Sequence, residues 1–391
     1  MRKVKVAFFA EILIADFDGA ARTMFQLFER IDPEKFEFLF ICASGPDQIQ
    51  GFECLKVPSL RIPFNKNYVI GMPSLANRDT WARLDDFAPD LIHIATPSFL
   101  GHFALRYARG KSVPVTTIYH THFISYIAYY LKYLPFLVKP IENLTRKSQN
   151  RFYDLCDTIY IPSTSIAREL AEYGMSSKNM KIWKRGMDTG LFSPQKKDTE
   201  YLRTLTGNDR PTILFASRLV WEKNLETLID IYNAVRMEGL SYNFIIAGDG
   251  VARRECEERM PDAIFPGQLD HEQLSVLYAS ASVFVFPSVS ETFGNVVLEA
   301  MASGLVPVVA DGGGSRDFIE EGENGYKCEP YDAAAYLEKI KQIIENPVLQ
   351  TRLSKNAVQY SQSYDWDELA RVYFSDLIAL TAPTEKIKIE N

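Results

Sequence analysis

Short, near-continuous apolar runs, each followed by a longer amphipathic stretch, recur along almost the whole chain. KVKVAFFA (3–10), FEFLFICA (36–43), LIHIA (91–95), VTTIYH (115–120) and TIYIPS (158–163) are the strand-like runs of the first half. PTILFASRL (211–219), NFIIAGDG (243–250), VFVFPS (283–288) and VPVVAD (306–311) repeat the pattern in the second. Helical periodicity fills the gaps, for example over 22–31, 225–236, 271–280 and 333–344. A strand that is apolar on both faces must be covered on both faces. Such strands alternating with helices therefore predict parallel sheets in doubly wound α/β layers.

A chain of 391 residues is too long for one compact core, so two domains are expected. The boundary is placed at 192–209, where SPQKKDTEYLRTLTGNDRP is polar and broken by Pro and Gly, and the strand–helix pattern restarts at Pro211. The division expected is 1–193, rejoined by 368–391, against 194–367. Two such halves leave a cleft, and ligands gather there at the carboxyl ends of the strands. A formal net charge of −7 gives no basic footprint for nucleic acid as the main partner. The opening apolar run fails as a signal peptide because Glu11, Asp16 and Asp18 interrupt it. No stretch reaches the length of a membrane-spanning helix. The five cysteines are scattered and read as buried small hydrophobes in a reducing cytoplasm.

The richest segment is FPSVSETFGNVVLEAMASGLVPV (286–308). It reads as a strand, a loop, and a helix from Asn295 to Ser303 stopped by Gly304. Glu291 then lies on the loop and Glu299 about one turn into the helix, with the backbone N–H groups of Gly294 and Asn295 between them. A helix N-terminus favours an anion such as a diphosphate. Two lone glutamates are more often solvated charges, but their surroundings alter that reading. Arg218 follows one strand and Lys223 comes five residues later, two cations suited to a diphosphate. Gly248–Asp249–Gly250 ends the next strand in a turn that permits close backbone approach, and Gly312–Gly314 has the same latitude.

From Pro211 to Pro330 these residues closely resemble the family 4 glycosyltransferases of the GT-B fold. The resemblance includes that family's pair of glutamates separated by seven residues, here Glu291 and Glu299. It implies two Rossmann-like domains facing a cleft, with the last helix (YDWDELARVYFSDLIAL) crossing back to the first domain. It also implies a retaining, metal-independent hexosyltransferase, with a nucleotide-diphosphate sugar as substrate and no cofactor. Glu291 would hold the donor sugar hydroxyls, Glu299 the ribose, and Arg218 with Lys223 the diphosphate. Phe293, Gly294, Asn295 and Val296 form the loop and turn that would meet sugar and phosphate, with backbone contacts from Gly294 to Val296. Gly248, Asp249 and Gly250 would line the same donor site. The family usually has two glycines at the start of its first helix; here Gly19 is followed by Ala20, which weakens the expected backbone contact to phosphate.

His120 and His122 end a first-half strand. A pair at this spacing can suggest metal, but no carboxylate or third ligand completes a site. The resemblance instead puts His120 at the reacting centre. A finer resemblance, through VPSLRIP, HIATPSFLG, IYHTHF and KIWKRGMDTGLFSP, is to the branch that makes glycolipids, including diacylglycerol glucosyl-, mannosyl- and sulfoquinovosyltransferases. The segment 123–151 is aromatic and basic, with Lys132, Lys139, Arg146, Lys147 and Arg151 against Glu142 alone. It reads equally as an element on an anionic membrane surface, peripheral on the inner face, or as a packed helical hairpin. UDP-glucose leads the donors, ahead of GDP-mannose. The acceptor stays open between a lipid and a soluble or polymeric glycan. Two rival classes are a sugar-nucleotide epimerase and a non-catalytic nucleotide-sugar binding subunit.

Overall fold

The computed structural model describes residues 2–15, 17, 19–62, 65–75, 77–119 and 135–382. The apolar runs become strands because each loses both faces to helices. In Val4–Ile12 the residues Val6 to Ala10 are all buried, and so is every residue of Leu91–Ile94, Thr212–Ala216 and Val283–Phe286. Alternating exposure, the mark of a one-sided sheet, is missing from these central strands.

Two sheets result. The first has the spatial order Met180–Ile182, Thr158–Ile161, Val115–Ile118, Leu91–Ile94, Val4–Ile12, Phe36–Ser44, Phe52–Lys56 and Gln48–Ile49. Its pairs are parallel except the last. The second is parallel throughout, in the order Ile264–Gly267, Asn243–Ala247, Thr212–Ala216, Val283–Phe286, Pro307–Ala310 and Tyr326–Cys328. In each sheet the winding reverses beside the first strand in sequence, at Val4–Ile12 and at Thr212–Ala216. The crevice for a ligand opens at the carboxyl ends beside such reversals. Gly19, Arg218 and Glu291 all follow strands that flank them.

The helices at 271–280 and 333–344 have the bounds that periodicity predicts. The first helix, Gly19–Phe28, starts and stops three residues early. Phe52–Lys56, the hairpin of Ser59–Ile62 with Asn65–Gly71, and the edge strands Ile264–Gly267 and Tyr326–Cys328 carry too short an apolar pattern to stand out from sequence. Inside the polar stretch 192–209 lies a helix, Thr199–Thr206. Asp198 caps it, Gly207 ends it in a left-handed conformation, and Tyr201, Leu202 and Leu205 pack on the second core.

The final helix, Trp366–Thr381, crosses to the first half. Its Trp366, Ala370, Tyr373, Phe374 and Leu377 join the core that contains Phe8, Phe36, Tyr160 and Trp183. Polar links lock the crossing. Tyr373 Oη meets His93 Nδ1 at 2.9 Å, and the Trp183 indole donates to the Leu369 carbonyl at 3.0 Å. All five cysteines are buried. Scattered in sequence, they are not all apart in space, because Cys42 and Cys54 meet Sγ to Sγ at 3.4 Å. Cys42 stands opposite Lys56 across two parallel strands, so Cys54 lies one same-face step away.

Candidate active site

Lys223 ends a short 3-10 turn, Trp221–Lys223, and is 4% exposed. Asn224 follows in the left-handed region at φ 56°. Its amide donates to the carbonyls of Pro287 (3.1 Å) and Pro330 (2.9 Å), pinning the turn to the chain just past the strands Val283–Phe286 and Tyr326–Cys328. Ser290 Oγ donates to the Glu222 carbonyl at 2.9 Å. These bonds bring Lys223 Nζ onto Glu291 Oε1 as a charge-assisted hydrogen bond. The two side chains are 6% and 19% exposed, so the pair is shielded yet open on the carboxylate side. Arg218 is exposed at the mouth of the same strand end.

The glycine turns are explained first by the chain's own packing. Gly248 has φ +138°, and a Cβ there would lie 1.9 Å from the Ser217 carbonyl oxygen. The turn that carries Arg218 thus sits directly against Gly248–Asp249–Gly250, and the Leu219 amide donates to the Asp249 carbonyl at 2.8 Å. Gly314 likewise lets its loop abut Thr292, whose carbonyl would be 2.2 Å from a Cβ, and its amide donates to the Glu291 carbonyl at 2.7 Å. Close backbone approach is what these glycines permit, and the chain in contact here is their own.

Gly294, at φ 92°, opens the helix Asn295–Ala302. Phe293 before it is buried, edge-on to Phe318 at 4.9 Å, with the Arg185 guanidinium 5.6 Å from its ring. Val296 is half-buried and faces the second core. Glu299 lies one turn into the helix and is 5% exposed. Its Oε2 accepts from Tyr278 Oη at 3.4 Å, while Arg22 Nη1 stands 3.7 Å from Oε1. Burial raises the Glu299 pKa, and Arg22 and Tyr278 oppose that rise.

The two halves meet around this point. A Cβ on Gly19 would lie 3.6 Å from Asn295 Nδ2 and 3.8 Å from Arg185 Nη1. Arg22 Nη1 reaches His271 Nε2 at 2.7 Å. Farther out, Asp317 accepts from the Ser165 amide at 3.2 Å and from its hydroxyl. Lys223 and Glu291 are therefore joined directly, and Glu299 is held in a separate cluster. Sequence reasoning missed Arg22, His271, Tyr278 and Arg185: stretches that carry the resemblance contain Arg185, His271 and Tyr278, yet nothing local marks these side chains for the site, and folding brings each of the four to it. His120, His122 and 123–134 lie outside the described residues. Among the described residues no group of His, Cys, Asp and Glu is gathered as a metal site.

Two family descriptions match the chain, Glycosyltransferase Family 4 over 17–191 and Glycosyl transferases group 1 over 198–360. The chain is 29% identical over 374 residues to a sulfoquinovosyl transferase of Arabidopsis thaliana, covering 93% of this chain and 71% of that protein. It is 30% identical over 323 residues to a GDP-mannose-dependent alpha-mannosyltransferase of Mycolicibacterium smegmatis, covering 81% and 82%. In structure it resembles an Anabaena protein crystallised with UDP and glucose, at a TM-score of 0.73 and 19% identity, over 96% of this chain and 100% of that one. The sequence match carries the family and the structural likeness the architecture: this chain belongs to the family 4 glycosyltransferases and has the GT-B fold.

Proposed function

We propose that the chain transfers a hexosyl group from a nucleotide-diphosphate sugar, UDP-glucose first among candidates, to the hydroxyl of a diacylglycerol-type lipid, with retention at the anomeric carbon. The observation that carries the reading is the shielded Lys223–Glu291 pair at the sheet reversal. A carboxylate already oriented by an ammonium is ready to take sugar hydroxyls. The ammonium is ready to face the departing diphosphate beside Arg218 and the Gly294–Val296 helix start. In this scheme the bond from the anomeric carbon to phosphate oxygen breaks, and the acceptor oxygen bonds to that carbon on the same face. The acceptor proton passes to the leaving phosphate. Glu299 takes the ribose, Gly248–Asp249–Gly250 and Phe293 border the donor, Gly19 approaches its phosphate, and His120 belongs at the reacting centre. Protein cations do the electrostatic work that a metal does elsewhere. Residues 1–193 with 368–391 form the acceptor domain, and 194–367 the donor domain.

A lipid acceptor draws support from the helix Pro135–Tyr153. Phe136 and Leu144 are 71% and 70% exposed on it, and Lys139, Arg146, Lys147 and Arg151 belong to the same helix. Exposed apolar groups among cations suit the interface of an anionic membrane. Peripheral placement on its cytoplasmic face follows from that reading. Among the described residues no helix is long and apolar enough to cross a membrane. The experiment is a donor-hydrolysis screen over UDP- and GDP-sugars, then incubation of the best donor with vesicles of diacylglycerol and phosphatidylglycerol. Labelled lipid is expected. Sugar transferred only to a soluble glycan, with lipid unlabelled, would rule the lipid acceptor out.

A further inference from the structure

Glu299 keeps only 7% of its side chain in contact with solvent. A carboxylate so enclosed stays ionised only when a cation faces it. Two polar groups do so: the Tyr278 hydroxyl, from the helix His271–Ser280, and Arg22, from the helix Gly19–Phe28. The Pro347–Ser361 helix and the Gly314–Phe318 turn also pack on its helix. Among the described residues, neither sets a charge against it. Arg22 also binds His271 Nε2, which must be the acceptor because a guanidinium has no lone pair to offer. Arg22 belongs to the first half; Glu299 and His271 belong to the second. The countercharge of this buried acid therefore comes from across the cleft.

We propose that Arg22 is a positioning residue for the nucleotide, holding Glu299 as an ionised acceptor for the two hydroxyls of a nucleoside ribose, so that the donor seat is complete only with the acceptor half docked on it. The inference rests on the proposed ribose role of Glu299. A vicinal diol brings two O–H donors, which an ionised carboxylate satisfies and a carboxylic acid, itself a donor, does not. Arg22 Nε is buried without a partner among the described residues, so the guanidinium retains a donor beyond those facing His271 and Glu299.

The test is calorimetric titration of UDP, with GDP in parallel, into the full chain between pH 5.5 and 8. Arg22→Met and Arg22→Gln should each weaken binding about tenfold at pH 7, the scale of a hydrogen bond to a charged group. Their affinity should also fall on acidification at a higher pH than in the wild type. Arg22→Lys, which keeps the charge, should recover most of the loss. In a Glu299→Gln background, Arg22→Met should add less than about a twofold change, because the two act as one unit. Binding by both neutral variants within twofold of wild type, or losses from Arg22→Met and Glu299→Gln that simply multiply, would overturn the role of Arg22. Wild-type affinity in Glu299→Gln, or no nucleotide binding by the wild type, would instead overturn the ribose reading beneath it.

Discussion

Replacing Lys223 by methionine removes one charge while keeping most of the stem, and the structure separates its two consequences. On the catalytic side, a preorganised donor facing developing charge is worth about 3–4 kcal/mol, so turnover should fall roughly 10²–10³-fold. On the stability side, Glu291 loses its ammonium partner. Stripping one member from a fully buried pair costs about 3–5 kcal/mol. Glu291 is 19% exposed and can draw in water, which argues for a smaller figure of about 2 kcal/mol. For a domain of this size that corresponds to a drop of roughly 4–8 °C in thermal midpoint. Adding Glu291→Gln removes the stranded charge, so the double variant should regain most of the midpoint yet none of the turnover. Rates of donor hydrolysis and thermal scans at a fixed heating rate supply both readings. The reasoning is refuted if Lys223→Met hydrolyses donor within tenfold of the wild-type rate, or if the double variant recovers activity along with stability.

Gly248→Ala, at φ +138° and with a Cβ 1.9 Å from the Ser217 carbonyl, should cost about 2–4 kcal/mol through strain and clash. Gly207→Ala, at φ +70° with open space around it, should cost only about 1 kcal/mol; equal losses of thermal midpoint would defeat the packing argument. Burial of His93 lowers its pKa from 6.5 to about 3, so below pH 6.5 the unfolded chain takes up a proton that the folded chain refuses. Its share of stability is complete above pH 6.5 and drains away toward pH 3, at up to about 1.4 kcal/mol per pH unit. His93→Phe, stacked on Phe8 in its place, should therefore have a lower midpoint at neutral pH but a flatter decline on acidification. Parallel declines in wild type and variant would count against it.

Much of the fold was legible before folding was considered, because the signals are local. An apolar run such as VFVFPS declares a doubly covered strand within six residues, and the periodicity over 271–280 declares a helix within ten. The Glu291–Glu299 spacing is local too, since a loop and one helical turn span it. Less legible were strands such as Tyr326–Cys328, too short for periodicity to register, and the helix hidden at Thr199–Thr206, whose apolar face is only three residues. Gly248 and Gly314 show in sequence as points of close backbone approach, but the neighbours they accommodate come from other loops, which no local pattern names.

By itself, the amino-acid sequence determined the doubly wound architecture, the family and the residues around Glu291, since each rests on periodicity or on motifs confined to a few tens of residues. Only the tertiary structure decided which charges meet. Arg22 and His271 stand 249 positions apart, yet they share one cluster with the buried Glu299. Lys223 turns inward onto Glu291 because Asn224 is tied to two distant carbonyls. Electrostatic strength depends on separation and on exclusion of water, and both are set by tertiary packing, across the cleft for Arg22 and within the second half for Lys223, where no local sequence pattern reaches.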